Sequence, residues 1–196
     1  MSDKILYGLS NVYYAVATMG ANNTATFGTP VAIPGAVSLA MSPNGENTPF
    51  YADNIEYYVV NGNQGYDGSL EVARFPDAFK KDVLNMMDSG NGLLVEDAAA
   101  SVVHFALLFQ FEGDASGRRF VLYNCTAGRL GDESKTREEN IEPGTQSIDI
   151  KARPLHVEAL DADIVKAETS DVTDSTIYNG WFTAVTIPTA QSAVTT

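Results

Sequence analysis

The chain has 196 residues, 44% hydrophobic and 19% charged, and its 25 acidic against 12 basic side chains give a net charge of −13. That balance argues against a nucleic-acid reader, because affinity for phosphate comes from lysine and arginine patches that release counterions, and no such cluster with interleaved aromatics occurs. The single cysteine, Cys125, rules out an internal disulfide, and no run approaches the roughly 20 apolar residues of a membrane span.

The start, Met1-Ser-Asp-Lys-Ile-Leu-Tyr7, lacks the basic region and apolar core of a signal peptide, so synthesis and retention in the cytoplasm are expected. Sixteen glycines and eight prolines favour turns over long helices, which makes a mostly β protein the expected class. The length suits one domain, with residues 1–187 as the body and 188–196 as a mobile Thr/Ala/Ser tail.

Along the chain, Val12-Tyr-Tyr-Ala-Val16 and Val37-Ser-Leu-Ala-Met-Ser42 alternate large apolar with smaller or polar residues, the period of a strand with one buried face. Ser42 to Gly68 then reads as a long excursion from the sheet, broken by prolines, asparagines and glycines. Its aromatics, Phe50, Tyr51, Tyr57, Tyr58 and Tyr66, are many for a solvated loop. Tyrosine-rich surfaces commonly bury against partners, so these five are candidate interface residues, with capping of the chain's own core as the alternative.

Leu70 and Val72 alternate with Ser69, Glu71 and Ala73 in a further strand. One helix is predicted over about residues 76–89. Pro76 suits its first turn, Asp77 its positive dipole end and Gly90 its stop, while Phe79, Val83 and Met86 or Met87 fall on one face. Phe105 to Phe111 and Arg119 to Thr126 are aromatic and β-branched runs around a glycine-bearing turn, a hairpin of strong strand propensity. Such a hairpin needs cover, from sheet partners within the chain or from a neighbouring subunit, and thus points to assembly.

Arg129 to Glu142 is densely charged in both signs and reads as solvated surface. Gln146, Ile148, Ile150 and Ala152 alternate with Ser147, Asp149 and Lys151 in a strand that Pro154 ends, and Leu155 to Leu160 continues the period. Glu158 to Asp174 is the most acidic stretch, with six acids to one lysine. Trp181 to Ile187 is predicted as a last strand, with Trp181 a sixth candidate for a subunit interface.

Chemistry is not legible. His104 and His156 lack a second histidine or cysteine at metal-ligand spacing, Asp161-Ala-Asp163 with Glu168 lacks the glycine and regular ligands of a calcium loop, and Glu138 with Glu139 is a carboxylate pair of the kind any acidic protein offers. Cys125 has no histidine nearby in sequence and reads as a small buried side chain. Catalytic residues, metals and cofactors are therefore all expected to be none.

The central hairpin, together with Tyr51-Ala-Asp-Asn-Ile-Glu-Tyr-Tyr58, Gly65-Tyr-Asp-Gly-Ser-Leu-Glu-Val72, Phe75-Pro-Asp-Ala-Phe-Lys-Lys-Asp-Val-Leu84 and Gly144-Thr-Gln-Ser-Ile148, resembles the major tail protein of long, non-contractile-tailed bacteriophages of Gram-positive hosts. The similarity runs from about Ser2 to about Val185. The resemblance implies an antiparallel β-sandwich or barrel of the tail-tube type with one flanking helix, six copies closing each ring by extending sheets across subunits, and rings stacked into a conduit for viral DNA. It also implies that the excursion reaches an adjacent ring or subunit and that some acidic strand faces line the bore, so DNA passes without specific binding. The implied partners are further copies of the chain, a tape-measure protein, a tail tip or baseplate initiator and a tail terminator, with no membrane. Some family members carry an immunoglobulin-like module after the tube domain, and none is expected here. The competing readings are a carbohydrate-binding β-sandwich with Trp181 or a tyrosine pair as stacking platform, and another phage structural or decoration protein.

Overall fold

The computed structural model describes residues 7–45, 48–52, 54–60, 62–114, 116–132 and 144–190. In chain order the elements are β1 (Leu9–Met19), β2 (Ala25–Phe27), β3 (Val31–Ala32), β4 (Ala36–Asn44), β5 (Thr48–Ala52), β6 (Ile55–Val60), β7 (Gly65–Val72), α1 (Asp77–Asp82), β8 (Met87–Asp88) and β9 (Leu94–Val95). They continue with β10 (His104–Phe111), β11 (Arg119–Ala127), β12 (Gly131–Asp132), β13 (Gln146–Arg153), β14 (Leu155–Val157), β15 (Ala162–Ile164), β16 (Lys166–Glu168) and α2 (Ser175–Gly180). Ten strands form one antiparallel sheet whose main path runs β2-β1-β10-β11-β13-β7-β4, with β3, β12 and β16 pairing beside it. The fold is mostly β, as the composition predicts.

Period-two alternation places the side chains of β4, β7 and β13. Leu39, Leu70 and Ile148 share one inward row across the three strands, while Ser38, Glu71 and Ser147 share the outward row beside it. Gly68 lies in the next inward row, opposite Met41 and Ile150. A Cβ built there would stand 1.9 Å from the Ala40 carbonyl oxygen, so only glycine lets β4 approach β7 this closely.

The apolar hairpin β10–β11 is covered on both faces. Phe105, Leu107, Phe109, Phe120 and Leu122 enter a first core with Val12 and Tyr14 of β1, Leu70, Ile148 and Ile150. Ala106, Leu108, Val121 and Tyr123 enter a second core on the opposite face with Ala15, Leu155 and Trp181. Burial on both faces removes the polar half of the alternation, which is why these strands read as continuous apolar runs. Both hairpin edges are paired as well. β1 takes the outer edge of β10, and β11 shares its other edge between β16, at Phe120 to Leu122, and β13, at Asn124 to Ala127. The chain itself thus supplies the cover that the hairpin demands, and the hairpin gives no argument for assembly.

The edge changes partner at a bulge, where Tyr123 and Asn124 oppose Ala106 alone. The displaced Asn124 is buried yet satisfied, with Oδ1 2.7 Å from His104 Nδ1 and Nδ2 donating to the Pro154 carbonyl at 3.2 Å. Cys125, in the first core, is fully buried, and burial pushes its thiol pKa up.

Three local expectations are corrected. The helix over 76–89 shrinks to Asp77–Asp82, because Asn85 takes a left-handed φ of +54° and Met87 to Val95 turns back as the β8–β9 hairpin through Ser89 and Gly92. Phe79 keeps its predicted place in the core, stacked on Phe75 and edge-on to Tyr14, whose hydroxyl donates to Asp82 at 2.8 Å. Met87 is exposed rather than part of a core stripe. Residues 181–187 form turns and irregular chain, not a strand, and they follow α2, whose N-cap Asp174 accepts from the Thr176 amide. The expected strand from Leu155 also stops at Val157, where a turn through Asp161 (φ +48°) returns the chain along β15. Most of the charged segment 129–142, including Glu138 and Glu139, and the end of the tail lie outside the described residues.

Phe79 carries the attachment of α1 to the sheet, so Phe79→Ala is expected to lower folding stability by about 3 to 5 kcal/mol in urea titrations, with an unchanged slope. A loss below about 1 kcal/mol would show that the helix is not part of the cooperative core.

Candidate assembly surface

The sheet ends on one side at β4, which pairs with β7 and leaves its other edge without a strand among the described residues. Exposed edges are templates for pairing with another chain unless something blunts them. β4 carries one blunting residue, Pro43, near its far end, while Val37 lies half exposed near its start.

The same two strands continue into an arm. Asn44 pairs with Gly65 at the end of the β4–β7 ladder, the Gln64 amide donates to the Asn44 carbonyl at 2.9 Å, and beyond this junction Thr48 to Ala52 of β5 pairs with Ile55 to Val60 of β6. Of the predicted excursion over 42–68, Ser42–Asn44 and Gly65–Gly68 thus belong to the large sheet, and Thr48–Ala52 with Ile55–Val60 form a separate two-stranded ladder. No lysine or arginine occurs between Ala36 and Leu70, whereas Glu46, Asp53, Glu56 and Asp67 do.

A polar clamp holds the base of the arm. Asp67 on β7 meets Arg153 of β13 at 2.7 Å and accepts from the Asn44 side chain of β4 at 2.6 Å, so one carboxylate ties three strands. Arg153 also donates to the Tyr66 carbonyl at 3.2 Å. The Arg153 guanidinium, with the Asn44 amide, holds the Asp67 carboxyl below its ordinary pKa range. Two rows farther along, hydroxyl donation from Thr145 and Ser38 lowers Glu71 likewise.

Five of the six candidate interface residues lie on the arm or at its base. Phe50 and Tyr51 sit on β5, where they face Tyr58 and Glu56 of β6 across the ladder, and Tyr57 is the extra residue of a bulge between those two pairs. Its side chain is 71% exposed. Tyr66 is half-buried at the fringe of the first core, with Lys166 Nζ 5.8 Å from its ring centroid. The sixth, Trp181, is elsewhere. It is buried in the second core and its indole N–H donates to the Phe120 carbonyl at 3.4 Å, so its ring face is available neither to a sugar nor to a partner. The indole is held there by the chain after α2, which also stacks Phe182 on Tyr13 and accepts the Tyr123 hydroxyl at Thr186.

Sequence reasoning missed a groove beside the arm's base. Leu39 and Met41 of β4, Phe109 and Phe111 of β10 and Phe120 of β11 line a cavity of about 550 Å³ that opens the first core to the surface. Its signal was Met41 and Phe111, each at the end of an inward-facing row where no further strand closes over it. The ionisable groups at its rim make local contacts: Arg118 pairs with Glu168 at 3.2 Å, and Asp114 accepts the Ser116 and Arg118 amides. Among the described residues no group of three or more His, Cys, Asp or Glu side chains is arranged to hold a metal, and no helix is long and apolar enough to cross a membrane.

The family model described as phage tail tube protein matches residues 1–187. No curated protein matches the chain. Among solved structures, the chain is similar to the sheath/tube terminator of the extracellular contractile injection system PVC in its extended state, at 12% identity over 85% of this chain and 99% of that one, with a TM-score of 0.44. It is also similar to the tube-terminating cap of the anti-feeding prophage, at 12% identity over 85% and 93% with a TM-score of 0.43, and to a chain of the six-fold symmetrised anti-feeding prophage baseplate, at 8% identity over 86% and 97% with a TM-score of 0.45.

The clamp at the arm's base has a definite pH sign. Because the folded-state pKa of Asp67 is depressed, its contribution is fully present above the unfolded-state value and is lost as pH falls through the lower folded value. Protection of the Gln64 amide from hydrogen exchange, compared with that of Ile148, is therefore expected to fall as pH drops below about 4. Asp67→Asn should show the reduced protection already at neutral pH; equal protection in the two proteins there would mean that the clamp does not hold the arm.

Proposed function

The chain belongs to the phage tail tube protein family, and we propose that within it this protein is the major tube subunit of a long, non-contractile tail of a phage infecting a Gram-positive host. As a member of that family it is a structural protein of the virion tail and not an enzyme. The reading extends to rings, six copies in each, stacked into the conduit through which DNA is ejected, with residues 1–187 as the tube domain. Copies are made in the host cytoplasm and meet, besides one another, a tape-measure protein, a tip or baseplate initiator and a terminator.

The observation that supports this reading best is the edge of β4, unpaired among the described residues and followed in the chain by the acidic arm. A head-to-tail contact that closes by rotation gives a ring, and ring closure would give that edge a strand from the neighbouring copy. The outward face of β4, β7 and β13 suits the wall of the bore. Its rows hold small polar residues, Ser38, Ser42, Ser69 and Ser147, with the carboxylates Asp67, Glu71 and Asp149 against Lys151 and Arg153. It offers a passing polyanion neither an apolar platform nor a cationic patch, and screening over roughly 8 to 10 Å confines its field to a narrow channel.

The purified protein is expected to form rings or tubes visible by negative-stain electron microscopy. Replacing residues 46–61 by an Asn-Gly turn should leave the far-ultraviolet circular dichroism of the body intact while abolishing tubes. A full-length protein that stays monomeric at high concentration, or a shortened one that assembles as well, would count against the reading.

A further inference from the structure

Two features of the surface fit each other, and among the described residues neither is used within one copy. Tyr57 is a knob: the bulge leaves it out of the ladder and the ring stands 71% exposed on a two-stranded arm, with Ile55 61% exposed on the same strand. The groove is a hole: Leu39, Met41, Phe109, Phe111 and Phe120 give it an apolar, largely aromatic lining of about 550 Å³, the surroundings in which a phenol ring gains most.

Charge selects the same match. The sequence of the arm includes Asp53 and Glu56 and no lysine or arginine. At the rim of the groove the carboxylates Asp114 and Glu168 are engaged by backbone amides and by Arg118, whereas Lys166 makes no ion pair among the described residues and lies over the rings of Tyr66 and Phe120. The groove therefore offers an acidic visitor one uncommitted ammonium.

Among the described residues Tyr57 does not line the groove of its own copy, whereas Tyr66 on β7 does. We propose that Tyr57 on the arm of one copy seats in the groove between β4 and the β10–β11 hairpin of a second copy, with Lys166 of the receiving copy meeting the acidic arm. Because the two patches differ, the contact is heterologous and propagates, with each copy giving a knob and receiving one. The inference rests on the tube reading and names the residues through which copies engage.

The test is Tyr57→p-benzoylphenylalanine, a photo-crosslinking residue that reports what the ring touches. Isotopically labelled and unlabelled copies are co-assembled, irradiated and mapped by mass spectrometry. Mixed-label crosslinks from position 57 to Met41, Leu39 or Phe111 are the expected result. Tyr57→Ala should lower assembly at fixed concentration at least about tenfold without altering circular dichroism, since the side chain is mostly outside the fold. Tubes whose crosslinks from position 57 map elsewhere, or only within one copy, would overturn the knob-and-hole contact and leave the tube reading standing. Wild-type protein that forms no assembly would overturn both.

Discussion

The structure depends on the hydrogen-bond edge of β11. That strand lies in the middle of the sheet with core on both faces, and its backbone groups have no access to water along most of its length. Every donor and acceptor on its outer edge must find a partner, because an unpaired backbone group in such a place costs as much as a lost hydrogen bond. One straight neighbour does not supply all of them: β16 covers Phe120 to Leu122 and β13 covers Asn124 to Ala127. The bulge at Tyr123 and Asn124 is the joint between the two. It lets β13 continue past the end of β11 to pair with β12 and β7, and so places β4 at the far margin, with an edge that no described strand pairs.

Apolar strength and assembly therefore separate in this molecule. The most hydrophobic segment, Phe105 to Phe111 with Phe120 to Cys125, is consumed by the fold, whereas the segments left for partners are polar or mixed. They comprise the β4 edge, an arm without cations, and a groove formed where the inward rows of β4, β10 and β11 run out. Such a division keeps the largest apolar surfaces of the described residues out of solvent and leaves backbone edges, a few aromatic rings and complementary charge at the surface.

Much of the sheet was legible because its outer strands alternate. Ile148, Ile150 and Ala152 point inward and Ser147, Asp149 and Lys151 outward, as their period predicts, and the same holds for Leu70 and Val72 against Ser69 and Glu71. The central hairpin was legible as strands, but its meaning was not: a run that is apolar at every position looks the same whether a second core or a second subunit covers its other face. The failures were local. Asn85 ends α1 through a left-handed conformation that spacing of Phe79, Val83 and Met86 does not register. Trp181 to Ile187 has strand propensity, yet Asp174 caps a helix immediately before it and tertiary packing of Trp181 and Phe182 decides its path. The candidate interface was read by composition, which found the tyrosines of the arm but not the groove, since a groove is made by strands far apart in sequence.

The charge of −13 constrains how such copies come together. Long-range repulsion between like-charged copies disfavours indiscriminate contact, and at physiological ionic strength it decays over roughly 8 Å, so it acts most strongly once two surfaces are nearly touching. A contact that forms against this repulsion must be short-ranged and directional: backbone pairing along an edge, a ring enclosed by apolar walls, or a carboxylate meeting a cation that its own chain has left uncommitted. Lys166 meets that last condition because the neighbouring carboxylates are already satisfied by Arg118 and by the amides of the 114–118 turn. The arm's lack of cations is the counterpart, for an arm bearing its own lysine would neutralise its own carboxylates. Specificity here follows from which charges are already spoken for within each copy, more than from how many there are.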